Sequence, residues 1–419
     1  MVSFCVTEIK KSDGSALWHL DAPQIAILNR DMRGNFLELA GWVFHREDPA
    51  QSIVIYAPLL HRAPLAIVGL HQRADVTAAF DCPPDTPTGF RAFVNLLGLR
   101  DAGAIEVGAV PASRWAAFSQ DSRFLAKNFI SLARIDLTIR HDAAPVAGPA
   151  PIFVTSMGRS GSTALMGALA AHPAVLAPRS YPYESKLLQY AQHVLAMMVT
   201  PSTGSAGLDG AQFIDTPYLA STNPFLRRDD YPEIFDWFAE DALGFIAPML
   251  DQTLTMIIAK QASEPQTVRF VAEKLVPNTM MASLAEAVWA EAREIILLRD
   301  FDDWLRSARG FSKASGRYFG RNAAQDTVME QAVTEYEAFL DYAERRRGRA
   351  MIVPFDALMA GPAALEQVCA RLDLTMTAAM EAALRTIPAG HANVQRHGRD
   401  APSGLSDRFA ARTRRLVAP

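Results

Sequence analysis

Apolar and polar residues alternate in short runs over the first third of the chain. Runs at 36–44, 52–56, 64–70, 90–97, 105–110 and 135–140 are separated by clusters of Pro, Gly, Asp and Asn. This rhythm predicts antiparallel strands in a sandwich or barrel. The stretch 112–131 reads as helix or irregular structure. From residue 152 onward the texture changes. Near-continuous apolar runs at 152–155, 268–272, 294–298 and 350–355 have the pattern of strands buried on both faces. Helical stretches are expected at 184–199, 231–261, 279–291, 327–347 and 365–372. Strands alternating with helices argue for a parallel α/β sheet. The long interval 156–267 reads as a helical insertion that shapes a substrate cleft. Between the two textures lies HDAAPVAGPAP, residues 141–151, whose prolines and glycine suit neither strand nor helix. It reads as a linker between a β-rich domain, 1–145, and an α/β domain, 146–419.

The segment PIFVTSMGRSGSTALMGALAAHP, 151–173, carries the strongest chemical signal. An apolar strand runs into Gly158, Arg159, Ser160, Gly161, Ser162 and Thr163, and a helix follows. Small residues let the backbone wrap closely around a ligand, and free N–H groups at the helix N-terminus attract an anion. Arg159 adds a planar charged fork, and Ser162 and Thr163 add hydroxyl donors. No lysine follows Gly161, so this is not a Walker A loop. The helix should end near His172, the residue before Pro173. A second constellation is EIILLRDFDDWLRS, 294–307. It puts Arg299 at the carboxyl end of a buried strand and Ser307 in the second turn of a helix beginning near Asp302. Ligands of open α/β sheets bind outside such strand ends. Arg299 and Ser307 are therefore candidates for a second phosphate.

Composition narrows the class of partner. Of 419 residues, 41 are Lys or Arg and 45 are Asp or Glu, a net charge of -4. That balance offers no bulk attraction for nucleic acid or an anionic membrane, so an anion must be bound locally. Cys5, Cys82 and Cys369 are widely spaced, lack metal-ligand spacing and suit free thiols in a reducing compartment. Residues 1–20 lack the uninterrupted apolar core of a secretory signal, and no run reaches transmembrane length. A cytoplasmic location is the expectation.

The two ordered anion sites resemble the sulfotransferases that use 3′-phosphoadenosine 5′-phosphosulfate (PAPS). In that family an R-S-G-[ST]-T loop, matched by Arg159 to Thr163, holds the 5′-phosphosulfate. A strand ending in R-D, with serine eight residues after the arginine, holds the 3′-phosphate and is matched by Arg299, Asp300 and Ser307. Phe301 stands where the family often has proline. The segment from Val353 to Leu374 resembles the family's later strand and helices. The resemblance spans about 150–400 and implies a P-loop-like parallel sheet flanked by helices, with PAPS as co-substrate, 3′,5′-adenosine bisphosphate (PAP) as product and no metal. It implies transfer to a hydroxyl of a carbohydrate or small metabolite, with Arg159 and Lys274 stabilising the transferring group and Glu184 as carboxylate base. His172 and His193 compete for the role of base; His172 also reads as a helix terminator and His193 as a packed helical residue. In the N-terminal part, Gly41-Trp42, Arg73 to Val76 and Gly89-Phe90 resemble a β domain that accompanies some bacterial glycan-modifying enzymes, a surface through which the chain could oligomerise or bind a glycan.

Two other readings stay open at this level. A P-loop kinase would use Asp300 as a magnesium ligand, and a non-catalytic protein would bind nucleotide and glycan without transfer. The basic run at 344–349 reads as solvated charge at a helix end, and 391–399 as a polar loop that could reach the nucleotide through Arg396 or Arg399.

Overall fold

A computed structural model describes residues 2–12, 16–24, 28–33, 36–57, 65–96, 99, 103–120, 129–141, 146, 148–178, 232–275, 277, 279–289, 291–315, 325–386 and 405–417. Two compact units are formed. One comprises Met1–Pro145, Leu187–Met249 and Thr279–Val288, the other Val146–Lys186, Leu250–Asn278 and Trp289–Pro419.

The first unit carries β1 (Val2–Lys11), β2 (Leu17–Ala22), β3 (Asp31–Arg33), β4 (Phe36–Phe44), β5 (Ala50–Tyr56), β6 (Ala66–Gly69) and β7 (His71–Gln72). The helix α1 (Ala74–Ala79), β8 (Pro87–Asn95), β9 (Ala104–Pro111), α2 (Ala112–Gln120) and β10 (Ile130–His141) follow. A six-stranded sheet has the order β3-β1-β10-β9-β5-β6 and a four-stranded sheet the order β2-β4-β8-β7. Their pairings are antiparallel. In β4 buried and half-buried positions alternate strictly, which is the period-two pattern seen in the sequence. β1, β2 and β3 precede the first expected strand, at 36–44, and were not expected. β1 ends in Glu8, Ile9, Lys10 and Lys11 and pairs with β10 along nearly its whole length.

The motif residues of this unit have structural work. Arg73 holds Asp21 on β2 at 2.6 Å and grips Asp75 with two further bonds of 2.8 and 2.7 Å. Gly89 leaves room for it, since a Cβ there would lie 2.5 Å from both the Arg73 stem and the His71 ring. Gly41 permits close strand pairing, because a Cβ would meet the His19 carbonyl at 2.1 Å.

The second unit contains β11 (Ala150–Ser156), α3 (Ser162–Ala170) and β12 (Val175–Leu176). A long helix, α4 (Pro232–Gln261), precedes β13 (Phe270–Leu275), α5 (Thr279–Val288), which belongs to the first unit, and β14 (Arg293–Leu298) in the chain. Next come α6 (Phe301–Ser315), α7 (Gln325–Arg346), β15 (Met351–Pro354), α8 (Phe355–Ala360) and α9 (Pro362–Arg371). Two further helices, α10 (Ala378–Arg385) and α11 (Ser406–Val417), follow. The sheet order is β12-β13-β11-β14-β15, and every pair is parallel. The first unit's antiparallel sheets thus precede a helix-flanked parallel sheet. β12 corrects the expectation of a purely helical insertion: two residues of that interval form a sheet edge.

The linker expectation needs a correction too. Ala150 and Pro151 belong to β11, the central strand. Proline is tolerated there because pairing with β14 begins only at Ile152, opposite Arg293. One face of the sheet packs on α6, α7 and α11 through an apolar cluster that includes Ile296, Leu298, Phe301, Trp304, Tyr336 and Phe409.

The basic run at 344–349 is not all solvated. Arg346 is 1% exposed, and its Nε donates to Glu294 Oε2 at 2.7 Å. Glu294 Oε1 also accepts from Thr155 Oγ1 at 2.6 Å and from the Tyr342 hydroxyl. Carboxylate, guanidinium and two hydroxyls therefore satisfy one another inside the core, joining β11, β14 and α7.

Candidate functional site

The central strand sets the location. From β11 the chain order of the sheet runs outward in opposite directions, toward β13 on one side and β14 on the other. Such a switch point leaves a crevice beyond the carboxyl ends of the strands. The loop from Gly158 to Gly161 occupies that position between β11 and α3.

Its backbone is unusual. Arg159 has φ 74° and Gly161 φ 84°. At Gly161 two constraints coincide, because a Cβ would also lie 2.6 Å from the Phe355 ring. Gly161 is the N-cap of α3 and has no side-chain cap. The first helical bonds run from the N–H groups of Ala164 and Leu165 to the Gly161 carbonyl, at 3.0 and 3.2 Å. The earlier N–H groups thus face the end of the helix, where an anion is favoured. Ser160 and Ser162 are buried, Thr163 and Arg159 half-buried, and Gly158 exposed.

Three cations from three strand ends surround this loop. Arg159 belongs to it. Lys274, on β13, donates from Nζ to Thr163 Oγ1 at 3.2 Å. Its neighbour Glu273 is buried while Lys274 is half-buried. Arg299 follows β14 and donates from Nη1 to the Arg159 carbonyl at 2.8 Å. It is buried, and its guanidinium lies 4.4 Å from the centre of the Phe355 ring. Burial lowers the pKa of Arg299, partly offset by the carboxylates of Asp303 and Asp356. Among the described residues, its buried Nε has no hydrogen-bond partner. Ser307 is half-buried in the second turn of α6.

The structure thus brings Gly158 to Thr163, Lys274 and Arg299 together. Glu184, His193 and residues 391–399 lie outside the described residues. His172 is described and is a structural residue: its Nδ1 accepts from the Ala174 N–H at 3.1 Å, and burial lowers its pKa. Three residues of the site went unnoticed in the sequence. Trp304 donates from Nε1 to the Gly158 carbonyl at 3.0 Å. The Tyr336 hydroxyl donates to the Arg299 carbonyl at 2.7 Å. Phe355 covers Gly161 and Arg299. Only Phe355 had a signal, its place at the end of the last apolar strand.

The sequence model of the sulfotransferase family matches residues 151–378, over half of the chain. The chain belongs to the sulfotransferase family. The match begins on β11 and takes in the loop, Lys274, Arg299 and Phe355; the first 150 residues of this sulfotransferase lie before it. Solved structures similar to this sulfotransferase include the sulfotransferase domain from the curacin biosynthetic pathway, 18% identical over 65% of this chain and 97% of that one, TM-score 0.35. Another is the sulfotransferase domain from the Synechococcus PCC 7002 olefin synthase, 17% identical over 66% and 97%, TM-score 0.35. Mouse sulfotransferase SULT7A1 complexed with PAP is 8% identical over 65% and 86%, TM-score 0.35. No curated protein matches the sequence.

Proposed function

We propose that this protein moves a sulfuryl group from PAPS to a hydroxyl acceptor, a carbohydrate or small metabolite. The observation that carries the reading is the convergence of Arg159, Lys274 and Arg299 on one helix N-terminus at the switch point. Residues Gly158 to Thr163 hold the 5′-phosphosulfate, and Arg299 with Ser307 holds the 3′-phosphate. Transfer forms a bond from the acceptor oxygen to sulfur and breaks the bond from sulfur to the bridging phosphate oxygen. Arg159 and Lys274 neutralise charge on that leaving oxygen. Glu184 takes the acceptor proton. The cations present provide charge stabilisation, and no metal is invoked in this reading. Residues 1–145 serve as an accessory β-rich domain for glycan or partner binding, and 146–419 as the catalytic domain.

Transfer of labelled sulfate from PAPS to a panel of sugars and small alcohols tests the activity. Arg159→Ala and Arg299→Ala should each weaken PAP binding by about 1.5–3 kcal/mol, the scale of a charged hydrogen bond. Unchanged affinity in both variants refutes the site. Glu184→Gln should keep PAP affinity and lower turnover by about a hundredfold; a wild-type rate assigns the base elsewhere. Nucleotide binding without transfer to any acceptor would favour a sensor, and tighter binding of Mg-ATP than of PAP would favour a kinase.

A further inference from the structure

The loop backbone is held by side chains that are themselves enclosed. Two of its carbonyls accept hydrogen bonds, Gly158 from the Trp304 indole at 3.0 Å and Arg159 from Arg299 Nη1 at 2.8 Å. These carbonyls belong to the two peptide units flanking the Arg159 Cα. One hydrogen bond therefore restrains rotation about φ of Arg159 and the other rotation about ψ. That residue has φ 74°, a conformation an L-residue keeps only when its surroundings impose it. A trans peptide points its N–H opposite to its C=O. A donor on the Gly158 carbonyl therefore turns the Arg159 N–H away from Trp304.

The clamps are rigid in turn. Trp304 is 2% exposed and Tyr336 1%. Their rings lie 5.8 Å apart, and both neighbour Phe301, at 6.0 and 5.1 Å. The Tyr336 hydroxyl reaches the Arg299 carbonyl at 2.7 Å, which fixes the backbone that carries the guanidinium. One aromatic cluster thus supports both halves of the anion site through separate hydrogen bonds.

We propose that Trp304 and Tyr336 are positioning residues with divided roles. Trp304 holds the Gly158–Arg159 peptide so that its N–H faces the 5′-phosphosulfate, and Tyr336 holds Arg299 for the 3′-phosphate. This rests on the nucleotide site proposed above.

Calorimetric titration of the full chain with PAP, adenosine 5′-phosphate and adenosine 3′-phosphate separates the roles. Trp304→Phe should weaken the first two by about five- to tenfold, the scale of one lost neutral hydrogen bond, and leave the 3′-phosphate unchanged. Tyr336→Phe should weaken PAP and the 3′-phosphate by a similar factor and the 5′-phosphate by less, since Arg299 also holds the Arg159 carbonyl. A merely structural role would lower thermal stability and shift the three nucleotides equally, or none, and either result overturns the proposal. A wild-type protein that binds none of them overturns the nucleotide site itself. Should Trp304→Phe fail to fold, hydrogen exchange of the Trp304 indole N–H in wild-type protein decides. Slow exchange with and without PAP supports the clamp, and fast exchange in both overturns it.

Discussion

Replacing Gly161 by alanine tests the loop at its most constrained atom. Two costs are separable. Gly161 has φ 84°, and an L-residue in that region costs about 1–2 kcal/mol. The new Cβ would lie 2.6 Å from Cδ2 and Cε2 of Phe355, so the ring must move. Moving it gives up the stacking of Arg299, 4.4 Å from the ring centre, worth about 0.5–2 kcal/mol. Gly161→Ala should therefore cost about 1.5–4 kcal/mol in total. If the loop stays in place the loss appears in urea unfolding; if it relaxes, it appears in PAP affinity. Both are measured on the same protein, and their sum is the tested quantity. Adding Phe355→Leu removes the ring and should relieve the steric part while leaving the backbone part. A Gly161→Ala protein within about 0.5 kcal/mol of wild type in both measurements would refute the reasoning, since that is the ordinary scatter of a surface substitution. Full recovery in the double variant would refute the backbone half alone.

Arg346→Met should destabilise the fold by about 3–5 kcal/mol, because Glu294 is left charged and buried without its ion-pair partner. Adding Glu294→Leu should recover most of that loss in urea titration; no recovery would mean the hydroxyls, rather than the charge pair, dominate. Burial holds the His172 imidazole below its ordinary pKa of 6.5, so the unfolded chain gains that proton first on acidification. The His172 contribution is complete above pH 6.5 and is lost as pH falls through 6.5 toward the folded value. His172→Asn should flatten the stability-against-pH curve there by at most about 1.4 kcal/mol per pH unit; an unchanged slope refutes the assignment. Lys274→Met should lower kcat by about a hundredfold and change PAP affinity by less than about fivefold. A loss confined to affinity would make Lys274 a binding residue only.

Local signals made much of this arrangement legible. β11, β13, β14 and β15 contain near-continuous apolar runs, as strands covered on both faces do, and the loop announces itself by Gly, Ser and Arg at a strand-to-helix turn. Arg299 could be placed because it ends such a run. What stayed hidden depends on partners far away in sequence. β1 carries Lys10 and Lys11 at its end and becomes a strand through β10, more than a hundred residues later. Arg346 looks like its neighbours Arg345 and Arg347, and its pairing with the buried Glu294 is not visible in the sequence. Trp304 reads as an ordinary apolar position of an amphipathic helix. Its indole N–H matters because the Gly158 carbonyl happens to end opposite it.

The placement of Arg299 bears on why a chain of net charge -4 would bind a polyanion at all. A guanidinium in the open would attract phosphate weakly, because water screens it. Here burial has removed much of that water, and the cost shows as a lowered pKa. Among the described residues, the protein returns part of the lost hydration: one carbonyl, the face of Phe355, and the more distant charges of Asp303 and Asp356. An anion that completes the shell therefore meets a charge already stripped of solvent and already oriented, so less reorganisation is needed on binding. Trp304 and Tyr336 extend the same logic to the neighbouring peptides, which are fixed before any ligand arrives. In the proposed reading, selectivity for a small, multiply charged ligand over a long polyanion rests on local cations at strand ends, on a protein whose overall charge repels anions.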